Sequence, residues 1–227
     1  KTSEVQAEIT ALAFLKREYL AGNYDPLNDM VICPFNKHFG TINLSKGIAN
    51  FIDEKFSIHP TEIISGFTKK YFAIGDLVLL QNEEYVITKI NRNAMYRGKL
   101  QPNTDVIFDR FGNIKGTKNE IIDSIIANAV DEVTDNASHV IYLAKPDALE
   151  QYLADGHTMD TIPETISIDS RGQVNNLTLA YATTCHKAQG LESKRVFILT
   201  HKCHNILLNR EWLYTAVTRA KEKLTIL

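Results

Sequence analysis

The sequence lacks several features that would place it in common classes of protein. It has no uninterrupted run of about 18 apolar residues, so we expect no transmembrane helix. Only 3 of the 227 residues are cysteine, too few for a disulfide framework, and this favours a reducing compartment. The N-terminal segment has no signal-peptide core. We therefore expect a protein of a reducing compartment such as the cytoplasm, neither secreted nor bound to a membrane.

A phosphate-binding loop of the pattern G-x-x-x-x-G-K-[ST] is also missing. Gly98-Lys99 is the only Gly-Lys pair, and Leu100 follows it where Ser or Thr would be required. Asp131 and Glu132 follow an apolar run, as a Walker B pair would, but the residues before them repeat with a helical period. We therefore assign neither segment to nucleotide binding.

Charge is spread unevenly along the chain. The net charge of -2 argues against a strongly basic nucleic-acid binder. Residues 173–227, however, hold 8 basic and 3 acidic groups, whereas residues 121–172 hold 2 and 10. The basic C-terminal segment remains a candidate for binding polyanions. The acidic segment is either a solvated face, a surface that repels DNA, or a site for a basic partner.

Both ends of the chain have an α/β pattern. Ser3 and Gln6 form a capping-box pattern in front of a helix that we expect to end near Ala21. A buried strand at 30–33 and a helix at about 37–55 follow. The pattern resumes near the C-terminus, with strands at 177–181, 195–199 and 223–227 and a helix at 211–220. Strands that alternate with helices predict a parallel sheet flanked by helices.

The middle of the chain has a different pattern. Short β-like runs separated by turn residues are expected at 76–80, 85–90 and 106–108, with a further strand at 140–143. Helical patterns cover 120–133 and 149–153. We predict a small β-barrel domain at 67–172, inserted into one discontinuous domain formed by 1–66 and 173–227.

Two polar runs near the C-terminus carry the chemistry. Thr184, His186, Lys187 and Gln189 follow a predicted strand, and Gly190 allows backbone N–H groups to approach an anion. Ligands of open α/β sheets bind at the carboxyl ends of the strands, where this run should lie.

The second run is helical. Thr215, Thr218 and Arg219 lie within about one helical turn, so they can form one polar patch. An arginine there is a permanently charged, bidentate partner for phosphate.

These two runs resemble motifs V and VI of superfamily 1 helicases, of the RecD/Dda-like branch. The residues that match motif V are Ala182, Thr184, His186, Lys187, Gln189, Gly190 and Glu192. Residues 213–220 match motif VI. Leu191 departs from the pattern, since Ser is common there. Residues 30–37 are similar to the strand that enters motif IV, and residues 75–78 with Asn82 resemble the start of an SH3-like insert.

The resemblance implies a RecA-like second motor domain with an SH3-like insert, from an ATP-dependent DNA helicase (an ATP hydrolase) that moves 5′ to 3′. It implies that Arg219 is the catalytic arginine finger and that Gly190 and Glu192 face the ATP. Thr184, His186 and Lys187 would hold the phosphates of single-stranded DNA.

The resemblance also implies that a first motor domain lies upstream of Lys1 and holds the phosphate loop and most ligands of Mg²⁺. Without it, the segment should not hydrolyse ATP. The expected partners are ATP, single-stranded DNA, the first motor domain and, in addition, replication or repair proteins. The alternative is a non-catalytic DNA- or protein-binding module that retains the fold.

Two further sets of residues contain groups that could bind a ligand. Tyr96-Arg97 lies among basic and aromatic residues and is a candidate DNA contact, although aromatics of this segment also fit a barrel core. Cys185-His186 and residues 201–204 contain potential zinc ligands, but their spacing matches no known zinc finger. We therefore predict no metal site in this chain.

Overall fold

The computed structural model describes residues 3–37, 39–65, 68–93, 138–162, 165–169 and 174–227. The helices are α1 (Glu4–Leu20), α2 (Thr41–Phe56), α3 (Pro146–Ala154) and α4 (Arg210–Val217). The strands are β1 (Met30–Cys33), β2 (Thr61–Ser65), β3 (Thr68–Phe72), β4 (Leu77–Leu80), β5 (Glu83–Asn93), β6 (Ser138–Ala144), β7 (Ile166–Asp169), β8 (Thr178–Leu179), β9 (Thr183–Thr184), β10 (Ser193–Ile198) and β11 (Ala220–Ile226). Within these ranges, no helix combines the length and the apolar character needed to cross a membrane.

The chain forms two compact units. The first contains Lys1–His59, Asp76–Tyr85 and Leu177–Leu227, and the second contains Pro60–Gly75 and Val86–Asn176. The domain boundaries expected from the sequence, at 66/67 and 172/173, stay a prediction.

A four-stranded parallel sheet forms the centre of the first unit, in the order β11-β10-β1-β9. Strand β1 is central, and its residues Val31, Ile32 and Cys33 are fully buried. Ile32 pairs with Ile198 on one side and with Thr183 on the other. The predicted α/β architecture, a parallel sheet with helices beside it, is confirmed. Strands buried in this way read as continuous apolar runs, which made β1 recognisable.

The strand expected at 177–181 is shorter than predicted. Only Thr178 and Leu179 form a strand, and they pair antiparallel with Leu79 and Val78 of β4, outside the parallel sheet. The chain joins the parallel sheet through β9, which lies beyond the predicted range and beside β1. The prediction was wrong because an apolar run does not reveal which strand it will pair with.

Helix α1 starts as predicted, since the Ser3 hydroxyl accepts a hydrogen bond from the Gln6 N–H at 3.2 Å. Helix α2 starts at Thr41 rather than near Lys37. Carbonyl groups of the residues before it accept hydrogen bonds from the first turn of the helix: Phe35 O accepts from Thr41 N–H at 2.9 Å, and Asn36 O accepts from Ile42 N–H at 3.1 Å. The sequence placed the start early because these residues do not interrupt the apolar period.

The segment between α1 and β1 is fixed to the sheet by polar and aromatic contacts. The buried Asp29 carboxylate accepts from Asp25 N–H at 2.7 Å and from Arg195 Nε at 2.9 Å. Tyr24 packs edge-on against Phe197, with 5.1 Å between ring centroids. The Tyr24 hydroxyl is buried, and no described atom is its hydrogen-bond partner.

The second unit is built from antiparallel strands. Strands β2 and β3 form a hairpin in which Glu62 lies opposite Tyr71. Strand β6 pairs with both β5 and β7, and β6 covers the strand predicted at 140–143. Strands β2, β3 and β7 were not anticipated. The strand expected at 106–108 and the helix expected at 120–133 lie outside the described residues, and the SH3-like insert stays a prediction.

Candidate functional site

The loop that follows β9 is a series of tight turns. Thr184 O accepts from Ala188 N–H at 3.0 Å, and Ala188 O accepts from Leu191 N–H at 3.1 Å. Ala188 is fully buried and anchors the loop. Gly190 has φ +84°, a left-handed conformation that glycine adopts without the steric cost of a Cβ. The loop lies at the carboxyl end of a parallel strand, as expected for a ligand site.

The proposed DNA-contact residues differ in their accessibility. His186 and Lys187 are exposed, so their polar groups are available to a ligand. Thr184 is only 8% exposed and ends β9, where it pairs with Cys33 of β1. Thr184 is therefore held by the sheet, while His186 and Lys187 project from the loop. Tyr96 and Arg97, the other predicted DNA contacts, lie outside the described residues.

Arg219 lies between α4 and β11, and it connects the two motif runs. The predicted helix at 211–220 ends at Val217, because Ala220 already pairs with Ser193 in the sheet. The Arg219 guanidinium donates through Nε to Thr215 O at 3.0 Å, through one terminal nitrogen to Leu191 O at 3.1 Å and through the other to the Thr218 hydroxyl at 3.0 Å. The polar patch predicted from Thr215, Thr218 and Arg219 is thus present.

The guanidinium retains donors for a ligand. Arginine has five N–H groups, and the three contacts of Arg219 occupy one on each nitrogen. Each terminal nitrogen therefore keeps a second N–H that no described residue accepts. This arrangement holds the planar group in place and leaves the pair of donors that suits a phosphate oxyanion.

Glu192, predicted to face the nucleotide, forms an ion pair with Lys221. Glu192 Oε2 lies 3.0 Å from Lys221 Nζ, and both side chains are about half exposed. Lys221 had no predicted role, although it directly follows the motif VI run. Gly190 and Glu192 flank Leu191, whose carbonyl contacts Arg219, so the three predicted ATP-site residues belong to one small region.

Buried hydrogen bonds hold β9 and the loop that follows it against the rest of the first unit. The Cys185 thiol donates to Trp212 O at 3.5 Å, and burial raises the pKa of this thiol, with Arg219 opposing the shift. Ser45 of α2 accepts from Ala182 N–H at 3.0 Å. Sequence reasoning missed Ser45, because nothing in its local pattern marks it out from an ordinary helix residue.

The histidines and cysteines near 201–204 have structural contacts. His204 Nδ1 accepts from His201 N–H at 3.1 Å, and its Nε2 lies 2.8 Å from Phe39 O. In the part of the chain that the structure describes, no group of three or more His, Cys, Asp or Glu side chains is arranged to hold a metal ion.

The C-terminal region matches a known family. Residues 179–227 match the model of the UvrD-like helicase C-terminal domain. The matched segment, residues 179–227, contains both motif runs, β9–β11 and α4, so the resemblance found in the sequence is confirmed.

Curated proteins that are similar to parts of the chain include a RecD subunit and a RecD2 helicase. The RecBCD enzyme subunit RecD of Mycolicibacterium smegmatis is 31% identical over 91 residues, which are 40% of this chain and 15% of that protein. The ATP-dependent RecD2 DNA helicase of Deinococcus radiodurans is 46% identical over 48 residues, 21% of this chain and 7% of that protein. The matches thus span a small part of the relatives' length.

Solved structures overlap more of the chain at lower similarity. The overlap with a crystal structure of Bacteroides Pif1 bound to ssDNA covers 96% of this chain and 48% of the Pif1 chain. The sequence identity is 13% and the TM-score is 0.35. The α/β fold of the first unit is instead shown by its own strand order.

Proposed function

We propose that the chain is the C-terminal part of an ATP-dependent DNA helicase, which translocates 5′ to 3′ on single-stranded DNA and unwinds duplex. One observation carries the proposal: Arg219 contacts Leu191 O at 3.1 Å, so the motif VI arginine meets the motif V loop. The loop would hold DNA and the arginine would contact ATP. Their direct contact is a physical route for coupling hydrolysis to the grip on DNA.

On the ATP side, Arg219 is the catalytic residue of the proposal. Its two remaining terminal N–H groups would bind the γ-phosphate and stabilise the negative charge of the transition state. Gly190 and Glu192 would lie next to the nucleotide. The relatives include a protein described as an ATP-dependent DNA helicase, which supports ATP as the substrate.

On the DNA side, the loop after β9 would grip the phosphate backbone. Lys187 supplies a positive charge, and His186 and Thr184 supply polar groups beside it. Contacts of this kind bind DNA without reading its sequence, as a translocating motor requires.

Mg²⁺ would be held mainly by the first motor domain. The described residues of this chain offer no carboxylate cluster that fits the ion. When bound, Mg²⁺ would neutralise charge on the phosphates. We accordingly propose that this chain without the first motor domain hydrolyses no ATP, and that the whole motor works in the cytoplasm or nucleoid with replication or repair proteins.

The arginine assignment is tested in the longer protein that includes the first motor domain. Arg219→Ala should leave ATP and single-stranded DNA bound but reduce DNA-stimulated ATP turnover by about 10³-fold, because a stabilising charge is lost in the transition state only. Turnover is measured at saturating ATP and DNA, and binding by equilibrium titration.

Two variants control this experiment. Arg210→Ala removes an exposed arginine at the other end of α4 and should leave turnover unchanged. Arg219→Lys keeps the charge without the planar fork and should recover only part of the rate. Undiminished turnover in Arg219→Ala would exclude the finger. A longer protein that lacks any phosphate loop would instead favour a non-catalytic binding module.

A further inference from the structure

A buried polar pair lies just before the motif V loop. The Tyr181 hydroxyl donates to Asp76 Oδ1 at 2.9 Å and accepts from Leu77 N–H at 3.2 Å. Tyr181 is 3% exposed and Asp76 is 5% exposed. The hydroxyl is therefore the middle of a buried hydrogen-bond chain between residues 105 positions apart in the sequence.

This pair marks the point where the chain changes partners. On one side of Tyr181, Ala180 N–H donates to Leu77 O at 2.9 Å and continues the β4–β8 pairing. On the other side, Ala182 N–H donates to Ser45 Oγ at 3.0 Å, and Thr183 joins β1 of the parallel sheet. Tyr181 thus anchors the chain where it leaves the antiparallel pair.

Burying these groups is unfavourable unless they are paired. A carboxylate removed from water loses hydration, and a phenylalanine at 181 would fill much the same volume with no hydroxyl to satisfy. Burial, followed by the charge of Asp76, raises the pKa of Tyr181, which keeps the phenol protonated and donating. What the polar pair adds over an apolar contact is a fixed direction and distance.

We propose that Asp76 and Tyr181 are positioning residues for the DNA-contacting loop, which fix where β9 starts and therefore where Thr184, His186 and Lys187 lie. The inference rests on the proposed function. Thr184 is only three residues beyond Tyr181. A displacement of the Tyr181 side chain would therefore also displace β9 and the loop that follows it. Neither residue of the pair touches DNA in this proposal.

Binding to a fluorescein-labelled oligothymidylate, followed by fluorescence anisotropy in the 227-residue chain, tests the proposal. Tyr181→Phe should weaken binding about 10-fold, the equivalent of one charge-assisted contact. Tyr24→Phe is the matched control, since it removes a buried hydroxyl that has no described hydrogen-bond partner in the same unit. It should change the affinity less than about 2-fold.

Substitutions at Asp76 test the same contact from the other side. Asp76→Asn keeps an oxygen that accepts from the Tyr181 hydroxyl and should retain near wild-type affinity. Asp76→Ala should weaken binding as Tyr181→Phe does. Circular dichroism and urea unfolding identify the variants that are folded at the assay temperature, and Asp76→Asn remains informative if Asp76→Ala unfolds.

A double-mutant cycle separates positioning from general loss of stability. If Tyr181 acts through the loop, the effects of Tyr181→Phe and Lys187→Ala should not add. The double variant should then bind DNA only slightly less tightly than whichever single variant has the lower affinity. Fully multiplicative losses, or wild-type affinity in Tyr181→Phe, would overturn the inference alone. If the wild-type chain fails to bind the oligonucleotide, the DNA-binding part of the proposed function is overturned as well.

Discussion

At the scale of single residues, His204 is an ionisable side chain held by contacts at both ring nitrogens. Its ring stacks on Phe39, with 5.2 Å between centroids, and it is fully buried. Because Nδ1 accepts from His201 N–H, the contacts assign the proton to Nε2, which donates to Phe39 O. The folded state therefore requires a neutral imidazole in one tautomer.

This requirement predicts a pH dependence of stability. Burial lowers the pKa of His204, only partly opposed by the hydrogen bond to Phe39. Between about pH 6.5 and the lower folded pKa, the unfolded chain binds the extra proton, so the free energy of unfolding falls as the pH falls. Above about pH 6.5 this contribution is fully present. Urea unfolding from about pH 7.5 to 5.5 measures it.

The control for His204 is an exposed histidine. His204→Gln removes the buried titration and should flatten the pH dependence over this window, whereas His186→Gln should leave it in place. Equal slopes for wild type and His204→Gln would show that other groups cause the acid sensitivity.

The sequence was informative about single residues only where a family pattern exists. Motif matching brought Arg219, Gly190 and Glu192 to one region, and the structure places them together. It gave no sign of the Asp76–Tyr181 pair. Tyr181 directly precedes the motif V residues, and Asp76 lies in the segment that resembles the start of the insert. A local sequence pattern, however, does not predict which distant residue will accept a hydrogen bond from a buried hydroxyl.

At the scale of elements, the loop between β1 and α2 depends on Gly40. A Cβ on Gly40 would lie 2.6 Å from Lys37 O and 2.7 Å from Phe35 O, both backbone atoms. Any larger residue must therefore move the loop that serves the start of α2 and contacts His204. The need for glycine at position 40 is steric and not conformational, because Gly40 has φ -148°, a value that any residue adopts.

Gly40→Ala should accordingly lower the free energy of unfolding by about 3 kcal/mol, because the clash is with backbone that must shift. Gly22→Ala offers a comparison. Gly22 has φ +76° and open space around its Cβ position, so only the left-handed conformation is penalised, by about 1 kcal/mol. Urea unfolding of both variants gives the two values. A smaller loss for Gly40→Ala than for Gly22→Ala would refute the steric account.

Elements with a strong local period were predicted well, and those fixed by pairing were not. Strand β1 and helix α1 follow from a buried apolar run and a capping residue. Helix α4 ends early because β11 must pair with β10, a tertiary requirement that outweighs helix propensity. Strand β7 was missed although its isoleucines alternate with polar residues, because four residues make too short a pattern to identify a strand without its partner β6.

At the scale of the whole molecule, net charge is a poor guide to binding. The chain carries -2 overall, yet residues 173–227 carry 8 basic and 3 acidic groups and include the proposed DNA grip. Exposed charges more than about 10 Å apart are largely screened at 0.1 M salt, so a phosphate responds to the nearby surface. Of the acidic segment at 121–172, the structure describes 138–162 and 165–169. Its role as a solvated face, as a surface that repels DNA or as a site for a basic partner stays a prediction.

The salt dependence of DNA binding tests this local view. Despite the acidic overall charge, the logarithm of the binding constant should fall as the logarithm of salt concentration rises. Lys187→Ala should reduce that slope by about 0.7, the value for one phosphate contact on single-stranded DNA. Lys16→Ala removes a lysine that is paired with Glu54 on the same unit and should leave the slope unchanged. Equal slopes for wild type and Lys187→Ala would remove Lys187 from the grip.

Arg219 donates a hydrogen bond to the main-chain oxygen of residue 191, and this affects which side chains the site can accept at that position. A carbonyl is present whichever side chain follows it, so serine or leucine at 191 makes the same contact. The half-exposed Leu191 side chain is therefore free to differ from the common pattern. The link between the two motifs is therefore independent of the side chain at 191, where this sequence departs from the motif V pattern. A comparison of side chains alone would wrongly suggest that the link is weakened.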